Sequence, residues 1–439
     1  MTNFMALRDI APPDEIQNDF GPQDCLVVFG ELFARGYANG IVDEAQKRGM
    51  KLVFSTVGRR GERDELRPLT HEELNEKALQ PIINIPLEAG FDLEPDSQGQ
   101  RPVDQLQGLK LSEWDKAKIN WDSLNESRSR ATERFRQNLR HYLKELQPHI
   151  ESSRHVVFVH TMAGGVPRAK IAMPAMNRVF KGHGDRYASS EEFWGSDLGR
   201  FCAANFEDVT ANTFAHLVEL STELRESLQR RGGRVSYVAY GYHGTEVLMG
   251  QDYKWQSYSP YLQGFAKLKL EGLAQEAWTQ GVRATVFNAP EILTNSSSIF
   301  LGVEVSLYPL LGALQKESGQ DERVQLFLKS CQSLLKPEHS FEEIMDYTGK
   351  YFSSETIQKW SQFAIWPQHN GPEQMALMRE ASSHLINMHR DSKQMMTAEL
   401  SELVFRATGL AMIQETFQPK QPVWWMGHDL VARLAPRLF

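Results

Sequence analysis

At 439 residues the chain is longer than most single cores, and it reads as one large α/β domain with insertions and a helical extension rather than a string of modules. A formal net charge of −8 excludes the basic face that a nucleic-acid binder needs. Three widely spaced cysteines, Cys25, Cys202 and Cys331, form neither a disulfide framework nor a metal cluster, so a reducing cytoplasm is expected and no metal is. The start of the chain lacks the basic n-region and apolar run of a secretory signal, and no 18-residue apolar stretch exists to span a membrane.

The first strong element is Cys25 to Gly30, C-L-V-V-F-G, a short apolar run with the composition of a fully buried parallel strand. A glycine-bearing turn follows, E-L-F-A-R-G-Y-A-N-G, then a helix closed by Gly49 and a second strand from Lys51 to Thr56. Strand, glycine turn, helix, strand opens a dinucleotide-binding unit, in which loop amides and a helix N-terminus face the pyrophosphate. Gly30, Gly36, Tyr37 and Gly40 are the candidates for that turn, although their spacing is wider than G-x-G-x-x-G. After the second strand comes V-G-R-R-G-E-R. An acidic residue in this loop favours a free ribose 2′-hydroxyl, whereas arginine suits a 2′-phosphate. Arg59 and Arg60 therefore point to NADPH, with NADH as the alternative.

Pro81 to Pro86 is a candidate third strand, and Glu88 to Gln107 has the Gly, Pro, Asp and Gln content of an exposed insertion. Ser127 to Leu146 is a charged amphipathic helix. His155 to Thr161 is the next buried strand, running into A-G-G, where Ala163 and Gly164 leave room for a cofactor against the backbone. A long helix is expected from about Val209 to Arg231, then a strand from Val235 to Tyr240. A loop separates that strand from a helix that begins after Pro260 and carries Lys267 and Lys269. A last strand, Ala284 to Asn288, leads into A-P-E-I-L-T. From about Val303 the pattern is helical to the end. The terminal P-V-W-W-M-G-H-D-L-V-A-R-L-A-P-R-L-F is apolar enough to need cover, either on the domain or against a second copy.

The order of these strands, the A-G-G turn, the tyrosine–lysine helix and N-A-P-E-I-L-T resemble the short-chain dehydrogenase/reductase superfamily. Tyr258 and Lys267 are spaced as Tyr-x8-Lys. G-F-A-K around the lysine and Tyr242-His243-Gly244 resemble the long trans-2-enoyl-CoA and enoyl-ACP reductases. The resemblance implies a Rossmann-type doubly wound parallel sheet over residues 1–302, with helical insertions at about 62–126 and 166–205. A helical C-terminal extension over 303–439 would pack on it. It implies reduction of an enoyl thioester carried on CoA or acyl carrier protein, with Tyr258 and Tyr242 stabilising the developing enolate. Lys267 would hold the nicotinamide ribose and lower the phenol pKa, and Ile292 and Thr294 would meet the carboxamide. Tyr261 is the rival for the catalytic phenol, and Lys269 is expected at the surface.

Two other readings stay open on the sequence. Thr245 lies thirteen positions before Tyr258, where a ketoreductase carries its carbonyl-binding hydroxyl. A non-catalytic nucleotide-binding scaffold for a partner protein is the third.

Overall fold

The computed structural model describes residues 4–8, 10, 19–77, 79, 81–257, 262–294, 301–365 and 368–439, with only the backbone given at 262 and 263. Its strands are β1 (Ala6–Leu7), β2 (Cys25–Phe29), β3 (Lys51–Thr56), β4 (Arg59–Arg60), β5 (Leu66–Arg67), β6 (Ile82–Pro86), β7 (His155–His160), β8 (Arg234–Gly241), β9 (Gly244–Met249), β10 (Asp252–Ser257), β11 (Arg283–Asn288) and β12 (Val423–Met426). Eight of them form one parallel sheet in the order β6-β3-β2-β7-β8-β11-β12-β1. The order runs outward in both directions from β2 and β7. That is the doubly wound arrangement, with its topological switch point between those two strands.

The apolar runs explain the layers. Side chains alternate across a strand, so in β2 Leu26 and Val28 enter one core while Cys25, Val27 and Phe29 enter the other. The first face packs on helices Ala38–Lys47, Pro309–Ser318, Thr397–Phe417 and His428–Leu434. The second face packs on Trp121–Ile150, Thr213–Leu220 and Leu262–Thr279. A strand buried on both faces has no polar side to show, which is why these runs are continuously hydrophobic. Residues 91–131 and 169–206 build a third cluster of their own around Phe91, Phe193 and Phe201.

Three expectations change. The terminal apolar run is not helical throughout. Val423–Met426 is a fully buried strand between β11 and β1, and it is covered within this chain. The segment after Tyr242 is not a plain loop, because β9 and β10 pair as an antiparallel hairpin. The helix expected over 209–231 is interrupted. A π-turn covers Asp208–Asn212, and Thr213–Leu220 and Thr222–Arg230 are separated at Ser221, whose hydroxyl donates back to Leu217 O.

Candidate active site

A cleft of about 420 Å³ opens at the carboxyl ends of β2, β7, β8 and β11. Its walls are the turn Glu31–Ala38, His160 to Ala163 around the end of β7, Tyr240–Tyr242, Lys267, Ile292, Thr294 and Val303. This is the crevice that the strand order reserves for a dinucleotide.

The turn is built for close approach. Gly30 has φ +120°, and a Cβ there would lie 2.4 Å from Thr161 Oγ1, so β2 leaves the sheet directly against β7. Arg35, also at positive φ, and Gly36 then bring the chain to helix Ala38–Lys47. No side chain caps that helix start; the amides of Asn39 and Gly40 donate instead to Gly36 O and Tyr37 O, both at 3.1 Å. The Tyr37 hydroxyl donates to Pro290 O, and its ring stacks on Tyr240 at 5.6 Å. Burial pushes this phenol well above its ordinary pKa, so Tyr37 shapes the wall as a neutral group.

Gly40 has a different duty from the one expected. A Cβ on it would meet Phe405 O at 1.8 Å, and one on Gly409 would meet the Gly40 carbonyl carbon at 2.0 Å. These two glycines let helices Ala38–Lys47 and Thr397–Phe417 cross backbone to backbone. Gly40 therefore faces its neighbouring helix and not the cleft.

Both arginines of the second loop are already engaged. Arg59 grips Glu31 through two hydrogen bonds of 3.0 and 2.9 Å, and Lys77 binds the same carboxylate. Arg60 pairs with Glu88, which Arg168 also holds. Both arginines expected to point to NADPH are therefore paired with carboxylates in this structure. Glu31 is 4 % exposed and also accepts from the Thr56 hydroxyl at the end of β3. Burial opposes its charge, but the bonds from Arg59 and Lys77 prevail and hold its pKa at about 2. The dinucleotide fits this crevice. A carboxylate held where β2 and β3 end borders the place of an adenosine ribose, and the glycine-bearing turn Glu31–Ala38 leaves room beside it for a pyrophosphate.

At the other end, Lys267 sits on the buried face of helix Leu262–Thr279, beside Ala266 and Leu270. Only 5 % exposed, its ammonium donates to Tyr240 O at 2.5 Å. Burial lowers its pKa to about 8. Lys269 is at the surface, paired with Glu207 at 2.7 Å. Tyr242 borders the cleft and donates to Glu291, a carboxyl 7 % exposed that also accepts from Ser306 at 2.8 Å. Burial raises the Glu291 pKa to about 7, against the lowering effect of those two bonds. Ala163, Ile292 and Thr294 are in the wall, and Gly164 adjoins it. Tyr258 and Tyr261 lie outside the described residues.

Sequence reasoning missed Glu31, Glu291 and His160. The His160 ring is in the wall and bonded to Thr213 at 2.8 Å; burial and the nearby Lys267 hold its pKa well below the ordinary value, so it is neutral. Thr245 is turned away from the cleft. Its hydroxyl donates to Met426 O at 2.6 Å, which removes the ketoreductase constellation. Among the described residues no group of His, Cys, Asp and Glu could hold a metal ion, and no helix is long and apolar enough to cross a membrane.

A family model for the enoyl-acyl carrier protein reductase FabMG matches residues 4–435. The chain belongs to this family. It is 41 % identical to a FabMG solved in its apo form, at a TM-score of 0.94, over 100 % of this chain and 99 % of that one. A second FabMG structure, with NADH bound, is 36 % identical at a TM-score of 0.79 over the whole of both chains. Comparison with curated proteins finds no match. The chain is thus an NAD(P)H-dependent reductase of an enoyl thioester, and the scaffold reading falls away.

Proposed function

We propose that the protein reduces an enoyl group carried on acyl carrier protein, with NADH as its preferred cofactor. The observation that carries the reading is Lys267, a buried cation brought into the switch-point cleft beside Tyr242. A bound nicotinamide supplies a hydride to the substrate Cβ. The negative charge that develops on the thioester oxygen needs hydrogen-bond donors already in position, and phenols supply them. Tyr258 is the first of these, by its Tyr-x8-Lys spacing, and Tyr242 the second. The Lys267 ammonium donates to the nicotinamide ribose and favours the charge on a neighbouring phenol oxygen. At the far end the Glu31, Arg59 and Lys77 cluster closes the ends of β2 and β3 beside the place of an adenosine ribose, and the relative solved with NADH bound supports NADH there. Arg59 is held by Glu31 rather than left open for a 2′-phosphate, which favours the same cofactor.

The test is reduction of crotonyl-acyl carrier protein and crotonyl-CoA, followed by absorbance of NADH and then of NADPH. Faster turnover with the carrier protein and with NADH is expected, and no turnover with either thioester would remove the reading. Tyr258→Phe should lower turnover by about 10²- to 10⁴-fold with cofactor affinity little changed. If Tyr261→Phe gives that loss instead, the phenol is misassigned.

A further inference from the structure

The Tyr242 hydroxyl has one proton and, in this structure, spends it on Glu291. Among the described residues Glu291 is the carboxyl bonded to a tyrosine of the cleft wall, and it stands on the border of a second cavity. That cavity, of about 50 Å³, lies behind the wall; Glu291, Ser306, Gln256, Gln374 and Thr245 are among its polar lining residues, beside apolar ones such as Val247 and Met378. Gln256 and Gln374 each bring a buried side-chain oxygen with no partner. The space is polar, and it exceeds the roughly 10–15 Å³ that one water needs. The space can therefore hold a water against Glu291 on the side away from the reaction cleft.

We propose that Glu291 is a positioning residue that sets the direction of the Tyr242 hydroxyl, through its own protonation from this rear cavity. The inference deepens the reductase reading and rests on it. As a carboxylate, Glu291 is an acceptor only, so it takes the Tyr242 proton and leaves the phenol oxygen without a donor for the thioester. As a carboxylic acid it donates to that same oxygen, and the Tyr242 O–H turns to the cleft, where negative charge develops on the substrate. Glu291 makes no contact with substrate in this scheme; it acts through Tyr242.

The surroundings suit such a switch. The titratable groups facing Glu291 among the described residues are Tyr242, Tyr37 from the turn, Tyr351 from helix Phe341–Ser353, and Glu304 from the turn Val303–Leu307. Three are phenols and one is a like charge, so none holds the carboxylate ionised as a cation would. The inflection consequently falls near neutrality, at about 7. The sign follows: turnover is highest below that pH and falls as pH rises through it.

The experiment is the pH profile of kcat with saturating NADH and crotonyl-acyl carrier protein, for the unmodified protein and for Glu291→Gln. The amide is neutral at every pH and can donate to Tyr242, so it fixes the donor-forward state. The unmodified protein should lose about tenfold per pH unit above its inflection. E291Q should lack the inflection and exceed the unmodified protein at about pH 8.5, with NADH affinity measured by fluorescence unchanged. Persistence of the inflection in E291Q, or a lower kcat than the unmodified protein at that pH, would overturn the proposal. A protein inactive on every thioester points instead to failure of the reductase reading. The pH-difference infrared spectrum then still reports on Glu291, because it needs no turnover: a carboxyl band that titrates near neutrality, is absent in E291Q and shifts in Tyr242→Phe is expected. Its absence overturns the inference independently.

Discussion

Two buried glutamates, Glu31 in the wall of the cleft and Glu291 behind that wall, are held in opposite ways. Glu31 is gripped by Arg59 and Lys77 and remains ionised down to a pKa of about 2. Glu291 is given only a phenol and an alcohol, and burial lifts it to about 7. Burial acts on both, so the partners decide the outcome. A fixed charge is useful where a ligand must be recognised the same way at every pH. A neutral-range carboxyl is useful where a proton has to change place.

The comparison can be broken at several points. The largest effect is expected at Lys267, which belongs to the Glu291 end. Lys267→Ala should cut kcat/KM by about 10²- to 10⁴-fold, weakening NADH binding as well, whereas Lys269→Ala should change neither. Equal losses from the two in steady-state kinetics would show that the helix face is misassigned.

At the Glu31 end, Glu31→Gln removes the acceptor and releases Arg59 and Lys77. Charge-assisted hydrogen bonds are worth about 1.5–3 kcal/mol, so the NADH-over-NADPH preference should shift toward NADPH by roughly 10- to 100-fold. Paired fluorescence titrations read this directly. An unchanged ratio would mean that Glu31 does not face the ribose.

Ser306→Ala should move the kcat inflection upward by about one pH unit, because a donor to the ionised form of Glu291 is lost. A downward shift in the measured profile would contradict the hydrogen-bond assignment. The smallest effect should come from Lys77→Ala. Glu31 has a folded pKa below its unfolded value, so its contribution to stability is present above about 4.5 and is lost as pH falls toward 2. Removing Lys77 should lower stability to denaturant near pH 7, followed by circular dichroism, and the difference from the unmodified protein should vanish as pH falls toward 2.

The sheet was legible because β2, β3, β7, β8 and β11 are continuous apolar runs bounded by turn residues, and a doubly buried strand has little other composition to adopt. Lys267 was legible through its spacing and the apolar residues around it. The β9–β10 hairpin could have been found: Val247, Met249, Tyr253 and Trp255 flank a two-residue turn, Gly250-Gln251, with Gly250 at φ +65°. β12 was hidden by its helical surroundings, since four residues, V-W-W-M, carry no period of their own. Glu31 and Glu291 had no signal of this kind. Arg59 and Lys77 lie 28 and 46 residues from the first, and Tyr242 and Ser306 lie 49 and 15 from the second. Such partners meet only through the fold. Arg59 and Arg60 meet the same limit, because a loop read by itself does not reveal Glu31 and Glu88, which pair with them.

The placement of β12 also governs when the molecule can be finished. β1 joins the sheet only through β12, and Arg8 bonds Asp429 across 421 residues of chain. On a ribosome, strands β2 to β8 can assemble while synthesis continues, but that edge must wait until Val423–Met426 has been made. The Gly40–Gly409 crossing waits almost as long. Until then one side of β11 presents unpaired backbone groups and apolar side chains, a vulnerable state in a nascent protein. Closing so distant a loop is slow for entropic reasons. Refolding from denaturant should therefore show the tryptophans of β12, Trp424 and Trp425, acquiring their native fluorescence after the bulk of the sheet has formed.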